Sequence, residues 1–308
     1  MLIRDIESIP DLFQQGAVAI GNFDGVHQGH ARIVERLRAM ADRLGGRAIV
    51  FTFDPSPAAL LRPEKAPPPL TTTTRKAELM AALGVDAIIA YPTDLDLLRL
   101  TPTEFFNEIV GRRLAARALV EGTNFYFGHD RAGTIDVLRS LAAEANVKLD
   151  VVEPLLVDGE PVSSSRIRRL IAAGDIQAAN RLLTRPYRLC GDVTRGAGRG
   201  ASIGFPTANL GDIPTLLPAQ GVYAGRATVE YRDGREKIWP AAVNIGPNPT
   251  FGEAAWKVEA HLIGCDESLY GQSLAVDFLA RLRDIQPFAN VQLLQAQLAR
   301  DVAAAKAM

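Results

Sequence analysis

Cysteine is scarce in this chain of 308 residues: Cys190 and Cys265 are the only two, and they lie far apart. That excludes a disulfide-stapled secreted scaffold and the paired spacing of a zinc site, and both are expected as buried free thiols. No stretch approaches the roughly 18 apolar residues of a membrane span. The opening MLIRDIESIPDLF carries Asp5, Glu7 and Asp11 where a secretory signal would be basic and then apolar. A surplus of either charge is also missing: 34 Lys and Arg stand against 35 Asp and Glu, a formal net charge of -1 with a pI near 6.5. A broad nucleic-acid surface is therefore not expected, although a small anionic ligand is compatible with this balance. Internal repeats are absent. What is left is a cytoplasmic chain of about two domains, without a membrane or nucleic-acid partner, in which an enzyme is the default expectation.

From Gly16 to about Val152, short apolar runs alternate with longer segments of helical period, the pattern of parallel strands joined by crossover helices. The expected strands are Ala17–Ile20, Ala48–Phe53, Ala87–Tyr91, Ala118–Glu121 and Leu149–Val152. Ile33, Val34, Leu37, Met40, Ala41 and Leu44 share one face of a helix that should begin near His30 and stop at Gly45-Gly46. The Pro- and Thr-rich piece from Arg62 to Thr74 reads as a surface loop. Ser163–Gly174 and Asp175–Leu183 read as two short helices. Beyond them strand-like runs follow one another without crossover helices: Val222–Tyr231, Ile238–Ile245, Trp256–Ile263 and Leu274–Leu282. That half is expected to be an antiparallel barrel or sandwich, with a last helix whose stripe of Val291, Leu294, Leu298 and Val302 packs against it. The boundary falls near Arg185.

Chemistry concentrates in two places. In IGNFDGVHQGH a strand passes through a Gly-rich turn into a helix, so backbone amides and a positive helix end face one point. Gly21, Gly25 and Gly29 allow close approach of a ligand, and His27 and His30 can point to the same side as donors to phosphoryl oxygens. Surface capping and metal binding are the alternatives; the latter lacks a third ligand nearby in sequence. In VSSSRIRR, Ser164 and Ser165 with Arg166, Arg168 and Arg169 offer hydroxyls and guanidinium forks suited to a triphosphate, or else a plain N-cap and a solvated face. The second half contains GAGRGASIGFPTANL, with Gly196, Gly198, Gly200 and Gly204 before Pro206. Thr207 and Asn209 are neutral oxygen ligands on one side of an extended backbone, able to join ATP phosphates around magnesium, or simply part of a turn. Glu259 interrupts the apolar run of Val258, Ala260, Leu262 and Ile263, and His261 shares its face.

GNFDGVHQGH together with SSSRIR resembles the nucleotidyltransferase superfamily. The full order of FTFDPSP, EGTNFYFGHDRAG, VSSSRIR, PTAN and VEAH resembles the bacterial bifunctional riboflavin kinase/FAD synthetase family, over nearly the whole chain. The resemblance implies an α/β plus all-β molecule. Residues 1–184 would form a Rossmann-like nucleotidyltransferase domain with a parallel sheet, and residues 185–308 an antiparallel Greek-key β-barrel with a terminal helix. It further implies that the barrel phosphorylates riboflavin with ATP and that the N-terminal domain adenylylates FMN to FAD, releasing pyrophosphate, both with Mg2+. His27 and His30 would be catalytic, with Gly21, Asn22, Phe23, Asp24, Gly25, Gly29, Ser164, Ser165 and Arg168 at ATP. Asp24 would orient a loop amide or a magnesium-bound water. Asn124, Phe125, Tyr126 and Phe127 would supply the flavin pocket, an aromatic core cluster being the alternative for Phe125 and Phe127. In the barrel, Gly198, Gly204 and Pro206 would bind ATP, Thr207 and Asn209 the metal, and Glu259 would be the general base, with His261 structural. One departure stands out: family members commonly carry His where this chain has Ser56. Rival readings are an adenylyltransferase for another phosphorylated acceptor and a non-catalytic flavin-binding regulator.

Overall fold

The computed structural model describes residues 1–5, 9–196, 198–231, 234–248 and 253–308, so Glu7 lies outside it. By internal contacts the chain forms two compact units. The first comprises Met1–Pro67 with Thr71–Ser163, and the second Pro68–Leu70 with Ser164–Met308.

The first unit is built on six strands: β1 (Leu2–Ile3), β2 (Ala17–Ile20), β3 (Ala48–Phe53), β4 (Ala87–Tyr91), β5 (Ala118–Gly122) and β6 (Lys148–Val152). All pair in parallel, in the order β1-β4-β3-β2-β5-β6. Continuous apolar strands follow from burial on both faces. Ala17, Val18, Ala19, Ile49 and Val50 are all inaccessible to solvent. The edge strand β1 is an addition to the five expected. Between the strands run α1 (Gln28–Leu44), α2 (Pro57–Leu61), α3 (Thr73–Ala82), α4 (Leu95–Arg99), α5 (Pro102–Phe105), which continues as a π-helix over Phe106–Arg113, and α6 (Ile135–Glu144). The expectation of a structureless Arg62–Thr74 holds only in part. A 3-10 turn covers Pro63–Lys65, and the Thr72 hydroxyl accepts the Arg75 N–H to start α3 inside the threonine run.

Because the chain moves outward from β2 to β3 and β4 and then returns to the other side of β2 for β5, the two loops leaving β2 and β5 diverge at the carboxyl end of the sheet. That crevice is where open α/β sheets bind ligands. The ladder between β2 and β5 stops at Val18 and Leu119. Beyond it a side chain replaces the backbone acceptor: Glu121 Oε1 takes the Ile20 N–H at 2.7 Å.

A two-stranded hairpin, β7 (Leu156–Val157) and β8 (Glu160–Pro161), completes the first unit. The second unit opens with α7 (Ser164–Ala172) and α8 (Ile176–Leu182), followed by β9 (Arg188–Thr194), α9 (Arg199–Ser202), β10 (Ala208–Gly211), β11 (Gly221–Glu230), β12 (Glu236–Asn248), β13 (Glu253–Leu262), β14 (Ser273–Arg283) and α10 (Val291–Lys306). The strands close into an antiparallel barrel in the order β10-β13-β12-β11-β14-β9. The meander β11-β12-β13 with β14 returning beside β11 is a Greek key. Alternation along β14 puts Leu274, Val276, Phe278 and Ala280 inside. Of the stripe on α10, Leu294 is buried, whereas Val291 at the first turn is exposed. The two cysteines are not joined by a disulfide and, against the expectation of burial, are only partly buried: Cys190 lies on β9 and Cys265 just after the end of β13.

Closure depends on a glycine. A Cβ at Gly191 in β9 would lie 2.4 Å from the Gly211 carbonyl oxygen of β10, so the two backbones meet where no side chain fits. Gly191→Ala is expected to cost the barrel about 1–3 kcal/mol, seen as a lower midpoint in thermal unfolding.

Candidate active sites

The loop after β2 is tightly wound. Phe23, Gly25 and Val26 have φ of 46°, 83° and 41°, which turns Phe23 and Val26 inward, with Gly25 buried and Asp24 half-buried between them. The Gly21 N–H donates to the Phe51 carbonyl at 3.0 Å, fixing the loop to β3. Asp24 Oδ1 accepts both the N–H of Thr71 at 3.0 Å and its hydroxyl at 3.1 Å. Thr71 Oγ1 in turn accepts the Gly25 N–H at 3.2 Å, so the carboxylate pins the loop to the segment before α3.

His27 is the N-cap of α1, three residues ahead of the start read from the sequence. Its Nδ1 accepts the His30 N–H at 3.3 Å, and His30 Nδ1 accepts the His27 N–H at 3.3 Å. This reciprocal capping box uses histidines where Ser and Glu are usual. The rings stack with centroids 3.5 Å apart at 17°. A Cβ on Gly29 would stand 3.1 Å from the His27 ring, so glycine leaves the room the pair needs. With each Nδ1 lone pair directed at a backbone N–H, the neutral ring carries its proton on Nε2, free to donate. Burial keeps both rings neutral. It pushes His27 down to about 4, and it holds His30 well below the usual range, helped by the nearby cationic forms of His27 and Lys76.

Lys76 was not singled out from the sequence. It is 6% exposed, and its Nζ donates to Thr52 Oγ1 at 3.1 Å; that hydroxyl donates to the Asn22 carbonyl at 3.2 Å. Burial lowers its pKa, opposed by Asp24 and Asp54. The available signal was the spacing of Lys76 with Leu79, Met80 and Leu83, which puts the lysine on the inward stripe of α3. Glu121 was also missed as a side chain of consequence. It is 2% exposed, and burial raises its pKa well above the usual carboxylate value, opposed by the hydrogen bond from the Ile20 N–H.

After β5, Asn124 is exposed, Phe125 is half-buried, and Tyr126 is exposed beneath the guanidinium of Arg131, 4.5 Å from the ring centroid. Phe127 is 6% exposed and belongs to the core, stacked on Phe125 at 5.5 Å and tilted against Phe105 at 5.8 Å. Asn124 and Phe125 are therefore the reachable part of this run, with Phe127 behind them. Ser56 caps α2, its Oγ accepting the Ala59 N–H at 3.4 Å. Ser164 and Ser165 begin α7 in the second unit, where Arg168 Nε donates to the Pro68 carbonyl at 3.0 Å.

The second site is a cavity at one side of the barrel. Asn209 on β10 and Asn244 on β12 both register with Glu259 on the intervening β13, so three polar side chains form one row across adjacent strands. Thr207 joins them in the cavity wall, as do Gly198 and Gly200. A Cβ at Gly196 would fall 2.1 Å from Asn209 Nδ2, and one at Gly200 would fall 2.3 Å from the Phe205 carbonyl oxygen. The glycine loop thus folds against the residues it presents. Gly204 has φ of 87°, and Pro206 offers its carbonyl to His261 Nδ1 at 2.7 Å, which leaves the histidine steadying the loop. The far end of the cavity is apolar, walled by Ile285, Phe288, Leu294, Leu298 and Val302. There Arg283 and the 4%-exposed Asp301 form a multiply bonded ion pair at 2.8–3.1 Å. Sequence reading placed α10 as packing only; its contribution to the wall had no motif to announce it.

No group of three or more His, Cys, Asp or Glu side chains suited to a metal occurs among the described residues, and no described helix is long and apolar enough to cross a membrane. Residues 10–166 match the family described as FAD synthetase, and residues 183–308 the family described as riboflavin kinase. A bifunctional riboflavin kinase/FMN adenylyltransferase of Pseudomonas fluorescens is 35% identical over all of this chain and 97% of its own length. One of the same description from Escherichia coli K12 is 33% identical over 97% of this chain and 95% of its own. Among solved structures, a Streptococcus pneumoniae protein described as a macrolide-efflux protein superposes with a TM-score of 0.85 at 28% identity, covering 99% of this chain and 98% of that one.

Two of the buried titrating groups, His27 and Glu121, oppose each other. His27 has its folded pKa depressed, so its contribution to stability is present above about 6.5 and lost as the pH falls toward about 4. Glu121 has its folded pKa raised, so its contribution is complete below 4.5 and lost as the pH rises through the folded value. Glu121→Gln keeps an acceptor for Ile20 and removes the second effect. Urea unfolding of that variant should show stability falling between pH 6.5 and about 4 with the opposing trend gone.

Proposed function

Because the chain belongs to the bifunctional riboflavin kinase/FMN adenylyltransferase family and carries both activities, we propose how its residues divide the work. In the barrel, riboflavin places its apolar ring system against Ile285, Phe288, Leu294, Leu298 and Val302, with its 5'-hydroxyl toward Glu259. Glu259 takes the hydroxyl proton as the oxygen attacks the γ-phosphorus of ATP, the bond to the bridging oxygen breaks, and ADP leaves. The Gly198, Gly204 and Pro206 loop holds the nucleotide. Thr207 and Asn209, oxygen donors in the same cavity as a carboxylate, suit magnesium beside phosphate oxygens. Bound there, the ion would offset charge on the transferring phosphoryl group. The row of Asn209, Glu259 and Asn244 is the observation that carries this assignment.

In the N-terminal site, a phosphate oxygen of FMN attacks the α-phosphorus of ATP and pyrophosphate leaves. His27 and His30 donate through Nε2 to the phosphoryl oxygens as charge builds on them. Gly21, Asn22, Phe23, Gly25 and Gly29 shape the loop, Asp24 pins it, and Asn124 and Phe125, backed by Phe127, receive the flavin. Ser164, Ser165 and Arg168 bind the triphosphate, an assignment that rests on the Ser-Arg motif. We place the functional boundary at 184/185, two residues inside the second family match, which begins at 183 after the first ends at 166. The enzyme works in the cytoplasm on riboflavin, FMN and ATP.

Glu259→Gln should abolish conversion of riboflavin to FMN and leave conversion of FMN to FAD intact. His27→Asn with His30→Asn keeps a capping side chain at the helix start but removes both Nε2 donors, and should do the reverse by about 100-fold or more. Chromatographic separation of flavins after incubation with Mg-ATP reads both activities. Loss of both from either change would refute separate sites.

A further inference from the structure

The His27/His30 pair presents a difficulty for a site that must hold a triphosphate: buried and engaged through Nδ1, both rings are neutral donors and supply no formal charge. The charge lies underneath. Lys76 reaches from α3 into the space below the loop and is 6% exposed. Among the described residues its ammonium donates to an uncharged hydroxyl, that of Thr52, and forms no ion pair. The groups around it are Asp24 in the loop, Asp54 at the end of β3, itself paired to Arg4 at 2.8 Å, and His30 on α1. On α3 the neighbouring Arg75 is paired to Glu78 at 2.8 Å. A buried ammonium without a carboxylate in contact is costly, and it is repaid when an anion arrives above it.

We propose that Lys76 is the fixed positive charge of the adenylylation site, holding the nucleotide's phosphates over the Gly21–Gly25 loop through its field while the two neutral histidines supply the directed hydrogen bonds. The ammonium does not reach the phosphates. It acts through the Thr52 hydroxyl and the Asn22 backbone, and by keeping a cation beside His30 it also keeps that ring unprotonated. The inference rests on assigning His27 and His30 to the phosphates.

Lys76→Met removes the charge at nearly constant volume, Lys76→Gln keeps a donor for Thr52 without the charge, and Lys76→Arg keeps the charge. FMN adenylylation should fall about 100-fold in both neutral variants and be largely retained in Lys76→Arg, with riboflavin phosphorylation as the unchanged internal reference. The thermal midpoint of Lys76→Met should stay level or rise, since a buried unpaired charge has gone. The acid limb of residual adenylylation should move to higher pH, because His30 no longer faces a cation. Adenylylation within threefold of the parent in Lys76→Met, rescue by Lys76→Gln, or a fall in midpoint that parallels the loss of activity would each overturn the proposal. If the double histidine variant also keeps full adenylylation, the assignment of the histidines fails; if that variant is inactive and Lys76→Met is not, only the role of Lys76 fails.

Discussion

The reciprocal pair of hydrogen bonds between His27 and His30 is the constraint on which the N-terminal site rests. It satisfies two of the orphan N–H groups at the start of α1, and in doing so it fixes where the helix begins, how the rings stack and which nitrogen keeps the proton. Were either ring protonated on Nδ1, the bond to its partner's backbone would be lost and the helix start with it. Structure and chemistry are therefore linked through one protonation state. Gly29, where a Cβ would press on the His27 ring at 3.1 Å, and Asp24, which ties the loop to Thr71, serve the same end. The uncharged pair in turn explains why a cation is buried nearby.

The barrel solves a different problem. There the residues of the proposed site are not on a helix start but on three neighbouring strands, and register does the positioning: Asn209 and Asn244 flank Glu259 because β13 lies between β10 and β12. A slip of one residue would turn Glu259 into the barrel interior among Val258 and Ala260. The close contact of β9 with β10 at Gly191, and of the glycine loop with Asn209 and Phe205, guards that register.

Much of this was legible in the residues. Buried parallel strands are unbroken apolar runs, so β2, β3 and β4 begin and end where the runs do. The antiparallel half betrayed itself by strands without crossover helices. What escaped has physical reasons. Leu2–Ile3 is too short to carry a period. Histidine is a rare N-cap, so the run that follows it suggested a start at His30. Lys76 drew no notice because a lysine is ordinarily solvated, and only its place among Leu79 and Met80 says otherwise. The apolar wall of the barrel cavity comes from an amphipathic helix whose pattern is the same whether it covers a core or a ligand; Val291, on the same stripe, covers neither. The aromatic run after β5 divides in the same way, Phe127 going to the core and Phe125 to its edge.

The cavity in the barrel draws its wall from residues that span Gly198 to Val302, and α10 follows every strand it covers. The histidine loop, by contrast, is complete in the chain by His30. On the ribosome the two proposed sites are therefore not born together: the histidine loop has long emerged when the barrel cavity still lacks the helix that walls its apolar end. A nascent or frameshifted product ending before Val291 would hold the barrel strands and Glu259 yet lack the α10 part of the cavity wall, so with riboflavin placed as proposed, its phosphorylation is the step that requires this helix to have been translated.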